Sequence, residues 1–180
     1  MNFVFDLDGT ICFKGQPLDE QVCHALDACM QHGHEVIFAS ARPIRDLLPI
    51  LPKEYHHFRM VGGNGAFTYA DQKIGVTYFP NEVQAQLVEI ALTHNLQYLA
   101  EVLIDISPPG MDKAKGLDQL GITEYIAFGN DANDRVLFEQ AIYSVCVGHP
   151  PVSRYANEMV TPANVAEKIQ ELAYRYGKRR

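Results

Sequence analysis

The sequence predicts an α/β fold built on a doubly wound parallel sheet, and three observations carry that expectation. Short apolar runs at residues 3–5, 35–39 and 125–128 alternate with stretches whose apolar residues recur at helical spacing, the order that yields parallel strands joined by helical crossovers. The runs are almost uninterrupted by polar residues, as strands buried on both faces require. Each run also ends in polar, mostly short residues: Asp6 and Asp8 after the first, Ser40 and Arg42 after the second, Asn130 to Asp134 beyond the third. In an open α/β sheet, ligands bind outside the carboxyl ends of the strands.

Taken in order, residues 3–5 form the opening strand, and residues 15–17 a loop. Residues 18–31 carry Leu18, Val22, Ala25, Leu26, Cys29 and Met30 on one helical face, with Asp19 as N-cap and Gly33 as a left-handed stop. Residues 35–39 are the second strand. Pro43 suits the first turn of a helix running over 44–51, up to Pro52. A third strand over 58–61 ends at Gly62-Gly63-Asn64-Gly65. Residues 66–70 and 74–79 flank a polar turn and suggest a hairpin; a helix to about residue 94 and a strand over 96–106 follow. Asp112 caps a helix over 113–120 that Gly121 ends. Then come a strand at 125–128, a helix at 135–140, a strand at 143–147, a last helix at 162–176 and a basic tail at 177–180. This order predicts right-handed crossovers.

A chain of 180 residues suits one domain with a real core. Its net charge of −7 offers no basic footprint for nucleic acid, whereas a small anionic substrate stays open, because local charges and a bound cation dominate a site's field. No apolar stretch approaches the ~20 residues of a membrane span. The first apolar run is broken by Asp6 and Asp8, unlike a signal-peptide core. Cys12, Cys23, Cys29 and Cys146 show no CxxC spacing, so reduced thiols and a cytoplasmic protein are expected.

Asp6 and Asp8 alone admit two readings: a strand-end turn with a helix cap, or a site. Strand-end acids in two separate places supply hard oxygen ligands suited to Mg²⁺. Ser40 adds a hydroxyl donor, Lys113 a point charge, and the loop amides around Gly9 an anion-binding nest. Such a set can run phosphoryl transfer, with one carboxylate attacking phosphorus and a second acting as general acid, then base. Each residue also has a plainer role: Ser40 as a helix cap, Arg42 on the surface, Asn64 as a turn residue. Lys115 competes with Lys113 and reads as a solvated helix residue.

The motifs Asp6-Leu7-Asp8-Gly9-Thr10, Ser40, Asn64-Gly65-Ala66, Gly110-Met111-Asp112-Lys113 and Gly129 to Asp134, in this order, resemble the haloacid dehalogenase (HAD) superfamily, and in particular its Cof-type phosphatases. The resemblance implies a Rossmann-like core with a C2-type α/β cap. It implies Asp6 as nucleophile and Asp8 as acid/base. Gly9, Thr10, Ser40, Arg42, Asn64, Lys113 and Asn133 would bind phosphate or substrate. Mg²⁺ would be held by Asp6, Asp8 and one or more of Asn130, Asp131 and Asp134.

Two departures stand out. Asn130 falls where the family pattern has an aspartate, and losing that charge should weaken metal binding. The cap is reduced to residues 65–103, room for a hairpin, a helix and a strand, between core segments 1–64 and 104–180. A short cap leaves a site open, or covered by a neighbouring subunit of a homo-oligomer. The activity implied is Mg²⁺-dependent hydrolysis of a phosphate monoester, a sugar phosphate being one candidate, through an aspartyl-phosphate. A phosphotransferase or mutase, and a non-catalytic domain that binds a phosphorylated ligand, are the competing readings.

Overall fold

A computed structural model of the chain describes residues 1–93 and 107–177. Its centre is an eight-stranded sheet. The strands are β1 (Asn2–Phe5), β2 (Glu35–Ala39), β3 (Met60–Gly62), β4 (Phe67–Ala70), β5 (Lys73–Val76), β6 (Tyr125–Gly129), β7 (Tyr143–Val147) and β8 (Glu158–Val160), in the spatial order β5-β4-β3-β2-β1-β6-β7-β8. β1 pairs in parallel with both β2 and β6, with Phe5 opposite Phe38 on one side and Phe128 on the other. β2–β3, β6–β7 and β7–β8 are also parallel. The hairpin β4–β5 joins antiparallel to β3 and continues the same sheet.

The two-residue period of the strands divides the core between two faces. Phe3 and Phe5 of β1, Val36 and Phe38 of β2, and Ile126 and Phe128 of β6 face one cluster. Val4, Ile37, Ala39, Tyr125 and Ala127 face the other. The first cluster is closed by α1 (Glu20–Gln31) through Val22, Ala25, Leu26 and Cys29, and by α6 (Val165–Tyr176) through Ile169, Leu172 and Ala173. The second is closed by α4 (Lys113–Gln119) through Ala114 and Leu117, and by α5 (Arg135–Gln140) through Leu137 and Phe138. Helices on both faces make the sheet doubly wound, as the alternation requires.

Local signals set most boundaries. Asp19 caps α1 by accepting from the Val22 amide at 2.8 Å, and Gly33 follows at φ +79°. Asp112 caps α4 by accepting from the Lys115 amide at 2.8 Å. The helix expected over 44–51 is only one turn, α2 (Ile44–Leu47), followed by a 3-10 turn at Leu48–Ile50. Pro49 lacks the N–H an α-helix needs there and its ring crowds the preceding turn. Pro43 sits one place earlier than expected, as an extended N-cap. The third strand starts at Met60 rather than residue 58, because Phe58 closes a turn onto the Tyr55 carbonyl. The last helix begins at Val165, behind a 3-10 turn at Pro162–Asn164.

β8 was not anticipated: three residues carry no period, and pairing with β7 alone defines it. α3 (Asn81–Thr93) follows the hairpin as expected. The strand expected over 96–106 and the tail at 178–180 lie outside the described residues. All four cysteines are free. No helix among the described residues is long and apolar enough to cross a membrane.

Candidate active site

The in-register parallel strands end together, so the residues that follow them share one edge of the sheet. Asp6 leaves β1 with its amide still donating to the Phe128 carbonyl at 2.9 Å. The chain then folds tightly back: the Thr10, Ile11 and Cys12 amides all donate to the Leu7 carbonyl, and the Gly9 amide donates to the Cys12 carbonyl at 2.8 Å. The Gly9 and Thr10 amides therefore hold the loop closed, and the anion-binding nest expected around Gly9 is not built from them. Gly9 adopts φ +80°, and a Cβ there would lie 2.1 Å from Asn130 Nδ2. Only glycine lets the Asp8–Thr10 loop lie this close to the loop after β6.

Asp6, Lys113 and Asp134 form a buried triad. Lys113 Nζ donates to Asp6 Oδ1 and to Asp134 Oδ1, both at 2.6 Å. All three are buried, with Asp6 the most open at 5% exposure. Burial pushes the Asp6 carboxyl up to about 6, against the downward pull of Lys113. Burial likewise opposes the charge on Lys113, but the two carboxylates outweigh it and hold the ammonium above its ordinary value. Lys113 reaches this position because the start of α4 is pressed onto the turn after β3: a Cβ on Gly65 would meet the Asp112 carbonyl at 2.0 Å. Lys115, by contrast, is exposed and pairs with Asp118.

Asp134 spends its second oxygen on the backbone, Oδ2 accepting from the Asn130 and Asp131 amides at 2.9 Å each. Asp131 accepts from the Ala132 amide, and the two acids form a capping box. The chain thus gives Asp134 the role of counter-ion to Lys113 and clamp of its own loop, and Asp131 that of a cap. The Asp131-to-Asp134 spacing was the sequence signal for this. Asn133 donates from Nδ2 to Asn64 Oδ1 at 3.1 Å, while its own Oδ1 is buried without a partner. Asn64 stands at φ +49°, in the left-handed region that asparagine tolerates, and its amide donates to the Ser40 carbonyl.

Ser40 is buried, and its Oγ accepts from the Arg42 amide at 3.1 Å. It caps no helix, and its hydroxyl proton remains available to a ligand. Arg42 grips Asp8 with its planar fork, Nε to Oδ2 and Nη2 to Oδ1, both at 2.7 Å. This pair is half exposed, so it forms the outer layer of the edge, above the buried triad.

Thr10 is fully buried. Its Oγ lies 2.9 Å from Asp6 Oδ2 and 3.1 Å from Asn130 Oδ1. One hydroxyl carries one proton, so it cannot satisfy both oxygens at once. Two hard oxygens that share a single donor are the ligand type a divalent cation such as Mg²⁺ takes. Side-chain bonds therefore join Asp6, Lys113, Asp134, Thr10 and Asn130 in one group and Asp8 with Arg42 in another, whereas Asn64 and Asn133 bond each other and the Asp131 side chain bonds only within its own loop. A separate open groove of about 760 Å³ runs along α3, lined by Asn81, Gln84, Ala85, Val88, Glu89 and Thr93. It contains none of the strand-end residues.

Known proteins share this fold. Solved structures with this fold include a hypothetical protein from Geobacillus kaustophilus HTA426, with TM-score 0.78 at 16% identity, covering 95% of this chain and 98% of that one. A haloacid dehalogenase-like hydrolase from Bacteroides thetaiotaomicron superposes with TM-score 0.74 at 20% identity, over 95% and 98% of the two chains. A HAD subclass IIB sugar phosphatase superposes with TM-score 0.65 at 15% identity, over 97% and 98%. No curated protein matches the sequence. The family model for haloacid dehalogenase-like hydrolases matches residues 3–102 and 100–167, a span that carries every strand-end residue described above, and the chain belongs to that family.

Proposed function

We propose that this chain is a Mg²⁺-dependent phosphatase that hydrolyses a phosphate monoester, a sugar phosphate among the candidates, through an aspartyl-phosphate on Asp6. The observation that carries the reading is the layering of the edge. A buried carboxylate sits against a buried ammonium, with Lys113 Nζ 2.6 Å from Asp6 Oδ1, beneath a half-exposed second acid, Asp8. Membership of a hydrolase family and a sugar phosphatase among the structures of like fold support it.

In this reading an Asp6 oxygen attacks phosphorus in line and the ester P–O bond breaks. The departing alkoxide takes its proton from Asp8. Water then attacks the phosphorus of the acyl phosphate, giving a proton to Asp8, and the bond to Asp6 breaks to release inorganic phosphate. Lys113 and the Ser40 hydroxyl bind the equatorial oxygens, where charge is carried in the transition state. Arg42 must shift its fork from Asp8 for the acid to reach the leaving oxygen, and its remaining N–H groups can hold the substrate. Asp6 and Asn130, with the Asp8 carbonyl, would hold the cation. Bound Mg²⁺ supplies neutralisation of phosphoryl charge.

The test is a panel of phosphate monoesters assayed for phosphate release with Mg²⁺ and with EDTA, in the wild type and in Asp6→Asn. Release that needs Mg²⁺ and is lost in a folded Asp6→Asn variant is expected. A folded wild-type protein that releases phosphate from no ester in the panel would overturn the assignment.

A further inference from the structure

We propose that the divalent cation and the phosphoryl group bind this site as a pair, each weakly alone, because the phosphoryl dianion supplies the negative charge that Asn130 withholds. The inference rests on the phosphatase reading and concerns how its site is loaded. Of the four acids in the loops after β1 and β6, three are held elsewhere. Asp134 has Oδ1 on Lys113 and Oδ2 on two backbone amides. Asp8 has both oxygens in the fork of Arg42. Asp131 caps the loop after β6 through the Ala132 amide. The two oxygens that share the Thr10 hydroxyl are Asp6 Oδ2, from a carboxylate, and Asn130 Oδ1, from a neutral amide. Among the described residues no group of three or more His, Cys, Asp or Glu side chains could hold a metal ion.

Formal charge points the same way. Asp6 and Asp134 against Lys113 leave one negative charge in the buried layer, and Asp8 with Arg42 adds none. A divalent cation entering alone turns that layer to one positive charge. A phosphomonoester dianion entering alone raises it to three negative charges in a place with little water. Both together return it to one negative charge. Mg²⁺ keeps several waters and commonly binds through one or two carboxylates completed by a phosphate, which is the donor set on offer here. Each ligand should then strengthen the other by the same factor.

The experiment uses the full chain, freed of metal by EDTA and dialysis, in titration calorimetry. MgCl₂ is titrated with and without inorganic phosphate, and inorganic phosphate with and without MgCl₂. Expected is a gain of about tenfold or more in each affinity, equal in both directions, within the usual range of coupling between sites. Asn130→Asp, nearly the same shape, should bind Mg²⁺ alone about tenfold or more tightly than wild type and show a reduced coupling. Asp131→Ser, which keeps a capping oxygen, should bind Mg²⁺ as wild type does. Tight Mg²⁺ binding by the wild type with no response to phosphate overturns the inference, as does loss of Mg²⁺ affinity in Asp131→Ser. In either case Mg²⁺-dependent release in the ester panel would leave the phosphatase reading standing. A silent panel together with no phosphate binding removes both.

Discussion

Lys113→Met tests the buried triad directly. The substitution keeps the length and apolar stem of the side chain and removes only the ammonium that lies 2.6 Å from Asp6 and from Asp134. Two carboxylates, 5% and 0% exposed, would then face each other with no cation between them. Breaking a buried ion pair by removing one partner typically costs about 3–5 kcal/mol, because the remaining charge is left uncompensated. At a urea dependence of about 2 kcal/mol per molar, the unfolding midpoint should fall by ~1.5–2.5 M at pH 7.5 in EDTA.

The sign of the pH response follows from Asp6. Its pKa is already pushed up to about 6 by burial with Lys113 present, and it must climb further without it. A raised carboxyl pKa means that the folded state takes up a proton before the unfolded chain does, so the variant's deficit should shrink as pH falls from 7.5 to 5. Adding Asp134→Asn should recover part of the loss. Urea unfolding followed by circular dichroism at the two pH values measures both. A deficit below about 1 kcal/mol at pH 7.5, or one that does not change with pH, would refute the charge-compensation argument.

Two further outcomes follow from other parts of the fold. Gly9→Ala and Gly15→Ala both place a side chain at positive φ, +80° and +66°, but only the first drives a Cβ to 2.1 Å from Asn130, while the second meets nothing within 4 Å. Gly15→Ala should cost about 1 kcal/mol and leave phosphate release intact, and Gly9→Ala should cost more and impair release; equal effects in unfolding and activity assays would count against the close approach. His34 is buried with Nε2 donating to the Ala173 carbonyl at 2.8 Å and Nδ1 without a partner, and burial holds its pKa below 6.5. Its neutral form is the one the fold accepts, so its contribution is complete above that value and is lost as pH falls through the lowered folded value. The urea midpoint of wild type should drop more steeply than that of His34→Phe between pH 7 and pH 5.

Much of this molecule was legible in the order of its residues, for reasons that particular elements show. Phe3-Val4-Phe5 and Val36-Ile37-Phe38 are apolar on both alternations, and the structure buries them on both faces. Asp19 and Asp112 announced helices because a cap is a local bond between residues three apart. The helix expected over 44–51 was read too long, although Pro49 within that range is what stops α2 at Leu47. β8 was not legible, because three residues gain strand character only from their partner. In the site, chain order alone placed Asp6, Ser40 and Asn130 at strand ends and Lys113 at the start of a helix. It did not say which oxygen of which acid would be free.

The sequence by itself determined the fold class, the edge on which the polar residues gather, and the family, because strand burial, helix caps and turn glycines act over a few residues. Only the tertiary structure decided how the charges are shared. Lys113 reaches across 107 residues to Asp6 and across 21 to Asp134, and Arg42 reaches across 34 to Asp8. Such pairings depend on which loops the sheet brings within about 3 Å, a distance over which a hydrogen bond exists or does not. That is why Asp134, which resembles a metal ligand in the sequence, takes the lysine in the fold, and why Asn130 is left to share the Thr10 hydroxyl with Asp6.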